Sequence, residues 1–187
     1  MCITPSQMRR GLSLEENMSI FYNKFENEEL NKAYELLENV TPLSCDCGKL
    51  CANKCCKGSD NDGMLLFPSE KEFFENKPNF KVYYDEKSDC DAVVCLAPCE
   101  RGERPLSCRL FPLFPYVEEE NGEKKLNVAL DVRALGVCPL ADSKEQLNRK
   151  FLRNVRLAST VLLRNSEISD FLHKVSKEML DLGPLGK

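Results

Sequence analysis

Cysteine is the residue that constrains this chain most. Eleven cysteines stand among 187 residues, and nine of them fall between Cys45 and Cys108. Against them there is one histidine, His173. Mixed Cys/His zinc sites need more imidazole than that. Any metal site here must be built from thiolates, helped at most by Asp, Glu or solvent.

The redox compartment decides what so many cysteines mean. The start, from Met1 to Gln7, is polar and lacks an apolar signal core. No stretch reaches the length that spans a bilayer. The expectation is a cytoplasmic protein whose thiols stay reduced. There, a high and odd cysteine count points to metal or redox chemistry, not to a disulfide framework. The net charge is −4 and the pI about 5.3. That acidic balance leaves no footprint for nucleic acid and no reason to bind an anionic membrane.

The cysteines are grouped. The first group is Cys45, Cys47, Cys51, Cys55 and Cys56; the second is Cys90, Cys95 and Cys99. Cys108 follows in Arg104-Pro105-Leu106-Ser107-Cys108-Arg109, and Cys138 precedes Pro139. Ligands spaced a few residues apart, then returning later in the chain, are the usual grammar of a metal site. Short spacing lowers the entropy cost of the second bond once the first is made. Adjacent Cys55 and Cys56 have diverging side chains, which suits two sites or two irons of one cluster. Zinc and iron–sulfur are both allowed, because thiolates suit each. Cationic side chains interleave with the thiols, and Arg104 and Arg109 are the candidates to donate to sulfur from the second layer. The Cys47-x3-Cys51-x3-Cys55 run comes near the three-cysteine signature of radical S-adenosylmethionine enzymes. Its last gap is one residue too long, and no alternation of strands and helices suggests a barrel.

Around this centre the pattern reads as an α+β fold in one domain, 1–187. Residues 14–40 are rich in helix formers, with apolar residues at helical spacing and a stop at Thr41-Pro42. The cysteine-rich region, 44–140, is irregular. Ser69-Glu70-Lys71-Glu72 reads as a capping box opening a short helix through Phe73 and Phe74. Phe80–Tyr84 and Ala92–Leu96 read as short strands. Leu113–Glu118 and Lys125–Val132 flank Asn121-Gly122 and predict a short antiparallel hairpin. A C-terminal helical hairpin spans 142–182, with Asp142 and Ser166 as caps and Leu147, Phe151, Val155, Ala158 and Leu162 as the inward stripe. Helices at both ends thus pack an irregular metal-bound centre, whose order must come from metal bonds as much as from packing. His173, on the last helix, reads as an ordinary helix residue.

These residues resemble the YkgJ-type cysteine-cluster family of bacteria and archaea, named for zinc or iron chelation. Its pattern is a CxxCxxCC-like box, a C…C pair, RPxxCRxFP and a late Cys. Here the box is Cys47, Cys51, Cys55 and Cys56, with wider gaps; the pair is Cys95 and Cys99. The third element is Arg104-Pro105-Leu106-Ser107-Cys108-Arg109-Leu110-Phe111-Pro112, and the late residue is Cys138. Asp62 to Pro68 resembles the linker after the box. The likeness covers Cys47 to Leu140 and leaves Cys2, Cys45 and Cys90 outside.

The resemblance implies a zinc- or iron-binding protein, an iron–sulfur cluster included, with no settled reaction. One relative of that family is the flagellin lysine methylase, so an iron–sulfur redox or methyl-transfer enzyme is the alternative. This chain shows no glycine-rich nucleotide loop. The partners implied are a metal ion or cluster and, beyond it, a redox or metal-delivery protein.

Overall fold

A computed structural model describes residues 24–45, 47–57, 62–97, 99–141 and 146–181. The fold is α+β, with two small antiparallel sheets and helices before and after them.

Helix α1 spans Glu28–Leu37. The Asn27 side chain caps it by accepting from Leu30 N–H, and Glu28 and Glu29 place negative charge where the helix dipole favours it. Leu30, Ala33, Tyr34 and Leu37 form its buried face. This face packs on helix α5, Arg149–Leu162, which buries Phe151, Val155, Ala158 and Leu162. Those four and Leu147 are the stripe expected from spacing, although Leu147 lies before the helix. Each such Phe, Val or Leu removed from water contributes roughly 1.5–3 kcal/mol. The cap of α5 is Asn148, which accepts from Lys150 N–H. The expected cap, Asp142, lies outside the described residues. Helix α6, Ser166–Asp181, follows after a three-residue connection. Asn165, not Ser166, caps it by accepting from Ile168 N–H at 3.1 Å. The helix begins at Ser166, so Asn165 holds the cap position and Ser166 the first helical one. The part of the expected N-terminal helix before Lys24 also lies outside the described residues.

The first sheet has strand order β1-β3-β2, all antiparallel. Its strands are β1 (Met64–Leu65), β2 (Phe80–Asp85) and β3 (Cys90–Cys95). Two of these match the expected strands; β1 is too short to show a period of its own. Helix α3, Lys71–Glu75, covers this sheet through Phe74, which packs edge-on against Phe80 at 5.1 Å. The expected capping box is absent. Ser69 has φ +73, and Glu70 turns its carboxylate inward instead of capping.

The second sheet is the hairpin β4 (Leu113–Glu120) and β5 (Glu123–Leu130). Asn121 and Gly122 both take positive φ, as a tight mirror-image turn requires. Leu113 to Val117 are buried on both faces, because α6 packs on β4. The other strand, β5, is largely exposed. No helix of the described residues is long and apolar enough to cross a membrane.

Candidate metal centre

Local turns place the cysteines. Cys47 stands at the start of helix α2, Gly48–Cys51. Ala52 and Asn53 then both take left-handed φ, and the Asn53 amide bonds back to Gly48 C=O at 2.9 Å. For Ala that conformation costs about 1–2 kcal/mol. It reverses the chain into a 3-10 turn, Lys54–Cys56, so that Cys55 returns toward Cys51. The segment before the box is anchored too: Asn148 N–H donates to Pro42 C=O at 2.7 Å, and its side chain donates to Ser44.

Cys95 ends β3, opposite Phe80, and Cys99 follows after the Leu96 amide has bonded to Asn79 C=O. Cys108 sits in helix α4, Leu106–Leu110. Cys138 follows a 3-10 turn, Val132–Ala134, where the Asp131 carboxylate is buried and bound to Arg133 at 2.6 Å. The Cys138 amide then bonds to Ala134 C=O at 2.8 Å.

None of the ten described cysteines is joined in a disulfide. Cys47, Cys51, Cys55 and Cys138 line one cavity of about 20 Å³, otherwise walled by apolar side chains such as Phe111, Pro112 and Leu140. Cys55 and Cys56 stand with sulfurs 4.0 Å apart. Cys56, Cys95, Cys99 and Cys108 act electrostatically on one another. The eight cysteines of the motif therefore fall into one continuous region. Among the described residues no three Cys, His, Asp or Glu side chains already stand in ligating positions around one point. Closing the thiols on an ion therefore requires rotamer adjustment.

Electrostatics differ along this region. Cys95 donates to Cys99, and with the Arg104 guanidinium beside it this lowers the Cys99 thiol to about 6, against the opposing effect of burial. Cys95 itself, as the donor, is pushed up. Cys55 is pushed up by its contact with Cys56 and by burial, and Cys108 mainly by burial. Cys55, Cys95 and Cys108 are thereby held as uncharged thiols while Cys99 is drawn toward thiolate, and a cation would replace the remaining protons on binding.

The other cysteines separate from the group. Cys90 lies at the opposite end of β3 from Cys95. It packs against the main core, and its charged neighbours are Lys174, Asp85, Glu178 and Arg133. Cys45 is exposed, and Cys2 lies outside the described residues.

The two arginines singled out from sequence also separate. Arg104 lies beside Cys99. Arg109 is buried and holds the scaffold. It donates to Arg104 C=O, Gly102 C=O and the Glu38 carboxylate at 3.0, 2.9 and 2.5 Å, and stacks 4.7 Å over the Tyr34 ring. A different cation, Arg101, comes near Cys47 while donating to the Glu38 and Val40 carbonyls that end α1.

Two residues near the centre escaped sequence reasoning. Glu70 is fully buried, accepts from Tyr34, Phe67 N–H and Leu106 N–H, and so fixes the start of the helix that carries Cys108. Lys24 lies over the Tyr34 and Phe73 rings at 4.2 and 4.1 Å. Neither carries a local signal: Glu70 sits in a plausible cap pattern, and Lys24 sits in a helix-forming run.

Set against known families, curated proteins and solved structures, the chain finds no match.

Proposed function

We propose that this chain is a metal-binding protein that holds zinc or iron through cysteine thiolates, iron–sulfur included. The observation that carries the reading is selective convergence. Eight cysteines from four separate parts of the sequence share one region, while Cys90, from the same strand as Cys95, is turned away. Packing alone has no reason to gather thiols and leave them partly accessible. Cys47, Cys51, Cys55, Cys56, Cys95, Cys99, Cys108 and Cys138 would be the ligands. Arg101 and Arg104 would offset the negative charge that remains when four thiolates surround a divalent ion. The resemblance to the YkgJ-type pattern supports the same ligand set. Cytoplasmic residence, where thiols stay reduced, belongs to this reading.

Anaerobic purification with metal analysis and an optical spectrum tests it. Bound zinc without colour, or iron with a brown chromophore and acid-labile sulfide, is the expected outcome, and the choice between them names the metal. Cys108→Ser should lower metal content and solubility together. Protein free of both metals after anaerobic isolation, and unable to take them up, would end the proposal.

A further inference from the structure

We propose that the exposed face of α5 is a docking surface for an acidic helix of another protein, read by Arg149, Arg153 and Arg156 with Leu152 and Leu157 between them. This goes beyond the thiolate reading and does not depend on it.

The first argument is charge segregation. The chain as a whole is acidic, at −4. Yet from Leu147 to Asn165 it carries Arg149, Lys150, Arg153, Arg156 and Arg164 and no carboxylate. Four of the ten arginines of the chain fall there. All five cations are exposed, and none stands in an ion pair with a described residue. Elsewhere the cations find partners: Lys32 meets Glu35 on α1, and Lys71 meets Glu75 on α3. An ordinary solvated helix face mixes both signs in this way, because opposite charges one turn apart support the helix.

The second argument is that the fold gains nothing from the pattern. Arg149 and Lys150 occupy the first turn of α5, which holds no acidic residue. That is the positive end of the helix dipole, where cations are disfavoured. Arg149 and Arg153 lie four residues apart and Arg153 and Arg156 three, so like charges adjoin along the surface. The buried face, Phe151, Val155, Ala158 and Leu162, is the opposite one, so packing on α1 does not call for these cations. Carboxylates laid over them from another chain would turn each unfavourable contact into a favourable one.

The third argument is shape and composition. Arg149, Arg153 and Arg156 line a shallow groove of about 360 Å³ with Leu152, Leu157 and Thr160. Leu157 is 43% exposed, although it is a large apolar side chain. Arginine is the cation that interfaces favour over lysine, because its fork binds a carboxylate through two parallel bonds and gives up water readily. The three arginines follow one line down the helix, with about 5–6 Å between successive turns. Carboxylates at i, i+4 and i+7 of a second helix match that line, with apolar residues of the same helix over Leu152 and Leu157. A nucleic acid fits less well: the net charge repels a polyanion, and the groove offers no aromatic ring for a base to stack on. Two leucines are too little apolar surface for a membrane. A second copy of this chain also fits less well, because its acidic run Glu118-Glu119-Glu120 lies opposite its own Lys125 and Lys124 across the hairpin.

The experiment uses the full chain as isolated anaerobically and two synthetic helical peptides of about 18 residues, long enough to hold a helix. One carries Glu at i, i+4 and i+7 with Leu beside them; the other has Gln in place of each Glu. At about 0.15 M salt, where screening leaves mainly the contacts themselves, the Glu peptide should bind at least about tenfold more tightly. Its amide NMR shifts should cluster on residues 149–160. Arg149→Gln, Arg153→Gln and Arg156→Gln combined should remove the preference for Glu and leave the melting temperature unchanged or raised. Leu157→Ser should weaken both peptides. Equal binding of the two peptides, an undiminished preference in the triple variant, a lowered melting temperature in it, or indifference to Leu157→Ser would overturn the proposal. Tighter binding of duplex DNA or anionic vesicles to the same face, or a dimer of this chain that the triple variant abolishes, would put a different occupant there and overturn it too.

Discussion

The Tyr34 hydroxyl donates a hydrogen bond to the Glu70 carboxylate, which is wholly buried. Amides of Phe67 and Leu106 donate to the same carboxylate at 2.7 and 2.9 Å. Burial raises the Glu70 pKa, and these three donors oppose the rise by favouring the ionised form. One side chain thereby ties α1 to the loop before α3 and to the start of α4. Glu70→Ala strands three donors in a dry site and should cost about 3 kcal/mol or more. Tyr34→Phe removes one donor of three and should cost about 1 kcal/mol. Denaturant melts of both variants measure the difference; equal costs would show that the carboxylate is not the shared hub.

Lys24 gives a pH dependence of known sign. Burial, then the nearby Arg109, lowers its pKa from 10.5 to about 8. Between those values the unfolded chain holds a proton that the folded chain has released. The Lys24 contribution to stability therefore rises with pH across that window. Its size is bounded at about 3 kcal/mol before solvent screening reduces it. The stability of the wild type minus that of Lys24→Met should rise from pH 8 to pH 10.5. A flat or falling difference would refute the assignment.

Arg104 and Arg109 should behave oppositely when replaced by Gln. Arg109→Gln breaks the contact with Glu38 and two bonds to carbonyls, costing about 2–4 kcal/mol. The protein that still folds should bind metal in unchanged stoichiometry. Arg104→Gln should leave the melting point nearly untouched and speed metal loss to a chelator about tenfold, the usual scale for a group beside a ligand. Competition with a chromophoric chelator separates the two.

Cys90 is the internal control. Burial pushes its thiol up to about 12. In the native protein at pH 8 it should resist alkylation, and it should become reactive on unfolding. Cys90→Ala should keep the full metal complement. Peptide mapping after labelling, together with metal analysis, checks both statements; rapid native labelling would contradict this placement.

Gly63 lies where β1 meets β3, and its amide donates to the Tyr83 hydroxyl at 3.0 Å. A Cβ there would stand 2.5 Å from the Val93 carbonyl oxygen. Backbone cannot yield as a flexible side chain would. Gly63→Ala should thus separate β1 from β3 and destabilise by about 1–3 kcal/mol. Amide exchange at Met64 and Leu65 should quicken with it, and unaltered protection would count against this reading.

Much of the architecture was legible because it is local. The Asn121-Gly122 turn, the Phe151-Val155-Ala158-Leu162 stripe and strands β2 and β3 each report a short-range period or a turn chemistry. The errors were also local. Ser69 and Glu72 satisfy the capping-box pattern, yet Ser69 takes a left-handed φ and Glu70 buries its carboxylate against three donors. Strand β1 escaped because two residues cannot show a period.

By itself the sequence limited the chemistry: with one histidine against eleven cysteines, any metal site would draw on thiolates, helped at most by Asp, Glu or solvent. Its resemblance to the YkgJ-type pattern singled out eight cysteines as candidate ligands. The tertiary structure decided how they are arranged. It brought Cys138 into the cavity of Cys47, Cys51 and Cys55, turned Cys90 away, and gave Arg109 to Glu38 and Tyr34 while leaving Arg104 beside Cys99. The reason is that spacing reports what a residue and its near neighbours can do. Which thiols share a cavity depends on turns and helix contacts that close the chain across many residues, and no local pattern records them.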